Sequence, residues 1–295
     1  MPVPMSNAAA LAQPREPRAS RHLMGLAGLL LVQVASAPPY APVSAETRPS
    51  ARAVLDATAA RRLLDGYRDH LAAIDGNDLV WRDGSRMPLD DGRGVKPFDD
   101  WLAAPDIEDM FHLPYPAAGS AAIAPPPQAD PGRARHAAFF DKVYGDCRNG
   151  GVKGDLVDVV WLPRKYGKRL QVTRINGVAA RLAAVSRELD ALPSAFDKFL
   201  LPPAGTFNCR GIAGTDRVSA HGHAIAIDLA TAHSDYWRWS RADASGRPVW
   251  RNRIPLEIVA VFEKHGFIWG GRWHHYDTMH FEYRPELLPP TTPLP

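Results

Sequence analysis

Cysteine is scarce in this chain: only Cys147 and Cys209 occur among its 295 residues. Neither has a second cysteine at the short spacing that metal-binding thiolates show, which argues against a thiolate zinc centre. An even pair in an oxidising compartment is typical of a disulfide, so we expect a Cys147–Cys209 bridge if the chain is exported. Two buried free thiols are the alternative, because unpaired cysteine packs as a small apolar side chain.

The chain also lacks an apolar run long enough to span a membrane, which takes roughly 20 residues. Its run at residues 23–34 follows three arginines and precedes small residues, the order typical of a secretory signal peptide. We expect cleavage after Ala37 or Ala45, which predicts a periplasmic or secreted protein with no stable membrane span after cleavage. The alternatives are an uncleaved anchor and a misassigned start upstream of Met24.

Neither sign of charge dominates the sequence. The formal net charge is +3, and no basic patch of the kind that binds nucleic acid is visible. We therefore expect no nucleic-acid partner. The composition, 45% hydrophobic and 23% charged, is that of an ordinary globular domain, and no internal repeat is visible.

Helix and strand signals do not alternate regularly, which favours an α+β fold with a small mixed, mainly antiparallel sheet and flanking helices. We predict helices at residues 54–74, 176–192 (with Asn176 as its N-cap) and 254–265. We predict strands at residues 79–81, 157–162, 170–173, 206–210, 224–229, 267–269 and 278–283. The proline- and alanine-rich stretch at residues 114–131 is interpreted as an unpacked linker.

Two histidines and two aspartates stand in the pattern of an open metal site. His221 precedes Asp228 by seven residues, and Asp277 precedes His280 by three. Two imidazoles and one carboxylate close three corners of a tetrahedral zinc site and leave the fourth for water. Asp277 is then a candidate base beside that corner, and the pattern predicts metal-assisted hydrolysis.

Strand parity supports this set of ligands. In the strand predicted at residues 224–229, Asp228 shares a face with two alanines, while the opposite face is aliphatic. In the strand predicted at residues 278–283, His280 shares its face with Glu282. We interpret Glu282 as a partner that orients an imidazole. A solvent-facing strand carboxylate is the alternative.

The same residues carry a family resemblance. Residues 219–229 resemble the S-x-H-x-x-G-x-A-x-D-[LI] motif of the M15 zinc peptidases, the D-alanyl-D-alanine carboxypeptidases and their relatives. Residues 270–282 are similar to the second motif of that family, G-G-x-W…[DE]-x-x-H-F-E. One position departs from the pattern: Ala224 stands where the first motif has glycine. A methyl group fits there if the backbone is extended, whereas a glycine-specific turn would be strained.

The resemblance implies an M15/hedgehog-like core in which His221, Asp228 and His280 hold Zn²⁺ and Asp277 is the general base. It also implies that Arg210 grips a substrate carboxylate, with Arg217 and Arg272 as further candidates. The implied substrates are peptidoglycan stem peptides. We accordingly divide the chain into a signal peptide and lead-in (1–45), an N-terminal extension with a Pro/Ala-rich linker (46–135), a zinc peptidase catalytic domain (136–288) and a Pro-rich tail (289–295).

Several functions remain compatible with this pattern. An exported D-alanyl-D-alanine carboxypeptidase is the favoured interpretation, and an L-alanyl-D-glutamate endopeptidase is its alternative. A non-catalytic, zinc-containing cell-wall-binding domain is another, although Asp277 fills the position of the base. Non-haem iron oxygenases also use two histidines and a carboxylate, but they usually place the carboxylate two residues after the first histidine, where this chain has His223.

Overall fold

A computed structural model describes residues 54–212, 217–243 and 249–289. The predicted signal peptide, its cleavage sites and most of the proline-rich tail lie outside these residues. The elements run in the order α1 (Ala57–Gly66), β1 (Leu71–Asp75), β2 (Asp78–Trp81), β3 (Arg86–Pro88), α2 (Phe98–Ala103), α3 (Ala137–Tyr144), β4 (Leu156–Trp161), β5 (Lys168–Thr173), α4 (Val178–Asp190), α5 (Asp197–Leu200), β6 (Ala226–Asp228), α6 (Leu256–Lys264), β7 (Phe267–Trp269) and β8 (His280–Tyr283). The predicted α+β class is confirmed.

The strands form three small sheets rather than one. Their orders are β1-β2-β3, β4-β5 and β6-β8-β7, and every pairing between these strands is antiparallel. In the last sheet β8 is the central strand, and all four of its residues are buried. Both of its faces are therefore covered, and its polar side chains must find partners inside the protein.

The single helix predicted at residues 54–74 is wrong in its second half. Helix α1 begins after Asp56, whose carboxylate accepts hydrogen bonds from the amides of Thr58 and Ala59 at 2.8 and 2.7 Å. It ends at Gly66, where an added Cβ would lie 3.2 Å from the amide nitrogen of Glu286. The chain then turns, and Leu71 begins strand β1. The apolar residues after Gly66 are thus strand residues.

Other predicted boundaries also shift. Helix α4 begins at Val178 with Gly177 as its N-cap, whereas Asn176 has a φ of 51° and donates its side-chain amide to the carbonyl of Gly66. The strand predicted at residues 206–210 does not form, and only isolated bridges occur beside it, at Gly205 and Gly211.

One hydrophobic core joins the described residues on either side of position 135. The ring of Tyr67 lies 4.8 Å from that of Phe139, and Trp81 lies 5.5 Å from the same ring. The described residues all belong to one compact unit. None of the helices in the described ranges has the length and apolar character needed to cross a membrane.

Candidate metal centre

The pairing of β6 with β8 places two predicted ligands side by side. Asp228 lies directly opposite His280, and Oδ1 of Asp228 is 3.0 Å from Nδ1 of His280. His221 comes from the turn before β6, and its Nε2 lies 3.2 Å from the same Oδ1. One atom from each of the three side chains falls within 4.8 Å of the others. The fold therefore brings the three residues together, as the sequence predicts.

The ring of His221 is fixed by a main-chain contact. Its Nδ1 lies 2.6 Å from the carbonyl oxygen of Thr206, and a carbonyl can only accept, so Nδ1 carries the proton. In the neutral ring, Nε2 then presents a lone pair. This atom is buried and has no hydrogen-bond partner. An orphaned imidazole lone pair next to a carboxylate is what a metal ligand requires.

The ring of His280 is fixed from the opposite side. Its Nε2 lies 2.9 Å from Oε2 of Glu282, so Nε2–H donates to this carboxylate and Nδ1 faces Asp228. Glu282 is fully buried and also pairs with Arg135 and Arg284. Burial by itself would raise the pKa of Glu282, but Arg135 and His280 hold that pKa well below its usual value. Glu282 thus orients the imidazole, and the alternative of a solvent-facing carboxylate is wrong because β8 is covered on both faces.

Asp277 lies beside this group with an unsatisfied carboxylate oxygen. Its Oδ1 is buried without a hydrogen-bond partner. Burial raises the pKa of Asp277 to about 6, with an opposing contribution from His280 and a further increase from Asp228. The carbonyl of Gly270 accepts a hydrogen bond from the amide of Asp277 at 3.0 Å. A Cβ added at residue 270 would lie only 2.6 Å from the carbonyl oxygen of Asp277, so this close approach requires glycine. This environment suits a carboxylate that exchanges protons near neutral pH.

The donor set fits zinc. Two imidazoles and an ionised carboxylate that converge on one point are the ligands of open zinc sites. Burial would raise the pKa of Asp228, but His221 and His280 lower it, so this carboxylate is ionised. Asp277 remains outside the set of three ligands, where a base is required.

Two acidic groups elsewhere also have the spacing of metal ligands. They consist of Asp90, Asp91 and Asp106, and of Asp106, Glu108 and Asp109. Nζ of Lys96 lies 3.0 Å from Asp106, the carboxylate that both groups share. The Lys96 side chain is only 3% exposed, so a buried ammonium already lies among these carboxylates. They are therefore a structural ion cluster.

A segment that the sequence did not predict to be structured packs against residues beside the proposed ligands. We call residues 129–135 the strap. The carbonyl of Pro131 accepts from Nε1 of Trp273 at 2.8 Å, Asp130 binds the side chain of His275 at 2.9 Å, and Arg135 binds Glu282. The interpretation of residues 114–131 as an unpacked linker is therefore wrong at its end. Three charged residues in a stretch otherwise made of proline, glycine and alanine were the available signal.

The packing extends to the start of that stretch. The hydroxyl of Tyr115 donates to Glu263 at 2.8 Å and accepts from the amide of Trp269 in β7. Glu263 in turn binds the guanidinium of Arg272, at 3.1 Å. Arg272 is therefore engaged in a buried ion pair, which leaves it poorly placed to grip a substrate.

The structure gives the other two arginines different surroundings. Arg210 is exposed, and its carbonyl accepts from the amide of Ser219, two residues before His221. Its role as the gripping residue stays a prediction. Arg217 is half-buried, and burial together with Arg135 and Arg133 lowers its pKa to about 10. Because Arg133 also lowers the pKa of Asp277, positive charge from the strap reaches the candidate base.

The predicted disulfide is confirmed. Cys147 and Cys209 are bonded, with their Cα atoms 5.6 Å apart. Cys147 packs with Val218 and Ala224, so the bridge ties the segment before Arg210 to the turn that carries His221. The alternative of two buried free thiols is wrong.

Ala224 adopts the conformation that favours glycine. Its φ is 57°, in the left-handed region, and this is why β6 begins only at Ala226 rather than at residue 224. The amide of Ala224 donates to the carbonyl of His221 at 3.1 Å, which closes the turn after the first ligand. A left-handed L-residue costs roughly 1–2 kcal/mol, so the departure from the motif leaves strain in this turn.

Comparison with known proteins gives one family match. The model of the family described as D-alanyl-D-alanine carboxypeptidase, Peptidase_M15_4, matches residues 213–283. No curated protein and no solved structure matches the chain. The matched segment contains His221, Asp228, Asp277 and His280, while the strap lies outside it.

Proposed function

We propose that the chain is an exported zinc metallopeptidase that hydrolyses peptidoglycan stem peptides. The proposal starts from the match of residues 213–283 to the M15 peptidase family model. D-alanyl-D-alanine carboxypeptidase is the activity we favour. The observation that carries the proposal is the pair of orphaned buried atoms, Nε2 of His221 and Oδ1 of Asp277, beside Asp228 and His280. Such atoms are costly unless a metal or a reacting group completes them.

His221, Asp228 and His280 would hold the zinc ion. When bound, zinc supplies a Lewis acid that polarises a carbonyl and lowers the pKa of water. Glu282 accepts from Nε2 of His280, so Nδ1 is the atom that would bind the metal, and the Thr206 carbonyl accepts from Nδ1 of His221, so Nε2 is the corresponding atom there.

Asp277 performs the proton transfers in this proposal. Its carboxylate takes a proton from the attacking water and returns it to the leaving amine when the peptide bond breaks. A pKa near 6 suits both steps, because the group is mostly ionised at neutral pH yet protonates readily. Arg210 would anchor the substrate carboxylate, and the positive charge of Arg133 and Arg217 would favour the approach of an anionic peptide.

The alternatives differ in what they require of the site. An L-alanyl-D-glutamate endopeptidase would use the same zinc ligands and base on another bond. A non-catalytic cell-wall-binding domain would not need a buried base with a raised pKa. An iron site using the residue two positions after His221 is disfavoured, because Nε2 of His223 binds Asp141 at 2.8 Å.

The test combines metal analysis with defined substrates. Purified protein is assayed for bound metal and incubated with a stem pentapeptide that ends in D-Ala-D-Ala, and the products are identified by mass spectrometry. We expect one zinc per chain and loss of one D-Ala, with Asp277→Ala binding zinc but releasing nothing. Asp158→Asn, an exposed carboxylate on β4, is the matched control and should remain active. Scission after L-Ala would establish the endopeptidase instead, and binding without cleavage would establish the binding domain.

A further inference from the structure

Three aromatic residues form a surface beside the candidate base. We call Tyr236, Trp237 and Trp239 the aromatic ledge. Trp239 is 61% exposed, although exposing a large apolar ring to water is unfavourable. Its ring centroid lies 5.5 Å from that of Tyr236, in an edge-to-face arrangement. The proposed catalytic mechanism uses none of these rings.

The backbone connects the ledge directly to the candidate base. Tyr236 forms an antiparallel bridge with Asp277. The amide of Trp237 donates to the carbonyl of Tyr276, and the amide of Thr278 donates to that of Asp235, each at 2.9 Å. These bonds flank the bridge, so Tyr236 and Asp277 are a non-hydrogen-bonded pair, with Cα atoms about 4.5 Å apart and side chains on the same face. The side chains of Tyr236 and Asp277 therefore leave the backbone next to each other, on the same face.

The ledge is a rigid part of the site. The amide of Trp239 donates to the carbonyl of Tyr236 at 2.8 Å, which closes a turn between the two rings. The hydroxyl of Tyr276 donates to the carbonyl of Val249 and contacts the hydroxyl of Ser240. The backbone at Trp239 is therefore anchored on one side by the carbonyl of Tyr236 and on the other by the side chain of Ser240.

The charges around the ledge select its ligand. Arg238 and Arg241 are exposed, the guanidinium of Arg238 lies 5.1 Å from the ring of Trp237, and residues 236–241 contain no acidic side chain. Two exposed guanidinium groups favour a ligand that offers hydrogen-bond acceptors. A sugar ring suits the surface, because its C–H face packs on the electron-rich face of an indole while guanidinium groups donate to its hydroxyl and amide oxygens.

The distances also suit a sugar. A stem peptide of three or four extended residues reaches about 10–14 Å. Trp239 lies one aromatic ring beyond Tyr236, which keeps it within about 15 Å of Asp277. A glycan strand attached to the end of a bound stem peptide therefore falls within reach of the ledge.

We propose that Tyr236 and Trp239 form a sugar subsite that binds the glycan strand to which the stem peptide is attached. The inference rests on the proposed function, because it assigns a second part of the same substrate to the same site. The enzyme would then distinguish stem peptides on glycan from free peptides of the same sequence.

Two measurements test the subsite. The first is hydrolysis of the same stem peptide, free and linked to its disaccharide. The measured quantity is kcat/KM for the linked substrate divided by kcat/KM for the free one. For Trp239→Ala we expect this ratio to fall about tenfold, because the sugar loses one stacked ring. Val160→Ala, an exposed apolar residue on β4, is the control and should keep the ratio. An equal loss on both substrates would overturn the proposal and assign the ring to the peptide.

The second measurement requires no catalysis. Glycan strands freed of all peptide are titrated into the full-length zinc-loaded protein, and binding is followed by calorimetry. We expect binding that Trp239→Ala weakens by at least about fivefold, with the unfolding midpoint of the variant confirming that it is folded. Absence of binding by the unaltered protein would overturn the subsite even if the peptidase activity is found. Binding that depends on Trp239 in a protein that cleaves no peptide would leave the subsite standing and refute the proposed function.

Discussion

Nε of Arg135 donates to both carboxylate oxygens of Glu282, at 2.9 and 3.1 Å, across 147 residues of sequence. Glu282 in turn accepts from Nε2 of His280 at 2.9 Å. A residue of the strap therefore contacts a proposed metal ligand through one intervening carboxylate. Because such outer partners fix the orientation and basicity of a ligating imidazole, the contact has a measurable consequence.

Arg135→Gln should weaken zinc binding about tenfold or more, the usual effect of losing a partner of this kind. Zinc affinity is measured by competition with a chromogenic chelator. Arg169→Gln is the matched control, because its side chain is 73% exposed and its guanidinium lies 3.5 Å from Asp158. Arg135→Lys should recover part of the affinity, since it restores the charge without the planar fork. Equal zinc affinity in Arg135→Gln and Arg169→Gln would refute a role for the strap in metal binding.

Asp277→Asn should abolish hydrolysis and stabilise the metal-free protein at neutral pH. Burial raises the pKa of Asp277 from 3.8 to about 6, so the folded state holds a proton that the unfolded state releases. The metal-free protein therefore loses stability as pH rises from about 4 to 6, by roughly 3 kcal/mol in all. The neutral amide does not carry this cost.

Urea unfolding of the metal-free proteins at pH 7.5 and pH 4 measures the difference. We expect the free energy of unfolding of Asp277→Asn to exceed that of the unaltered protein by up to about 3 kcal/mol at pH 7.5, and the gap to shrink to a small fraction at pH 4. A pH-independent gap would contradict the assignment of the raised pKa to this carboxylate.

Because the backbone at Ala224 is strained, we expect glycine substitutions at Ala224 and at Ala226 to change the free energy of unfolding by different amounts. Ala224→Gly loses a buried methyl group but relieves a left-handed backbone, so the free energy of unfolding should change by less than about 0.5 kcal/mol. Ala226→Gly, in the extended strand β6, loses a similarly buried methyl group and gains only flexibility, so it should cost about 1–2 kcal/mol. Equal losses in denaturant unfolding would mean that the turn after His221 tolerates alanine without strain.

Loss of the disulfide should affect stability strongly. The bridge closes a loop with a sequence separation of 62 residues, for which chain entropy predicts about 4 kcal/mol of stabilisation. The double variant Cys147→Ser, Cys209→Ser should therefore unfold at much lower urea concentration than the oxidised protein. Reductant should lower the midpoint of the unaltered protein towards that value and leave the double variant as it is. A midpoint in the unaltered protein that is insensitive to full reduction would show that the bridge contributes little.

The proximity of the three proposed ligands could be predicted from sequence because each belongs to a short segment with its own pattern. His221 and Asp228 flank a turn and a strand, and His280 begins an alternating strand, so local spacing is sufficient. The partnership of His280 with Glu282 was predictable for the same reason, because alternate strand residues share a face.

The strap could not be predicted in this way. Its contacts with Trp273 and Glu282 join residues that are 142 and 147 positions apart in the sequence. Helical or strand periodicity in the local sequence cannot predict contacts at that separation. Its composition, rich in proline and alanine, is typical of linkers, and only the packed structure distinguishes a linker from a covering segment. The end of helix α1 could not be predicted for a related reason: the helix ends at Gly66, where Glu286 approaches closely, while the apolar spacing continues beyond that residue.

The strap also limits how far the catalytic motifs can be transferred between proteins. A fragment that begins at residue 136 keeps all three ligands and Asp277. It removes the Arg135 partner of buried Glu282 and the carbonyl acceptor of Trp273. Recombination that exchanges only the motif-bearing half would therefore yield a site with the right residues and a deformed interior. We therefore expect the proposed activity to need the strap as well as the two motifs.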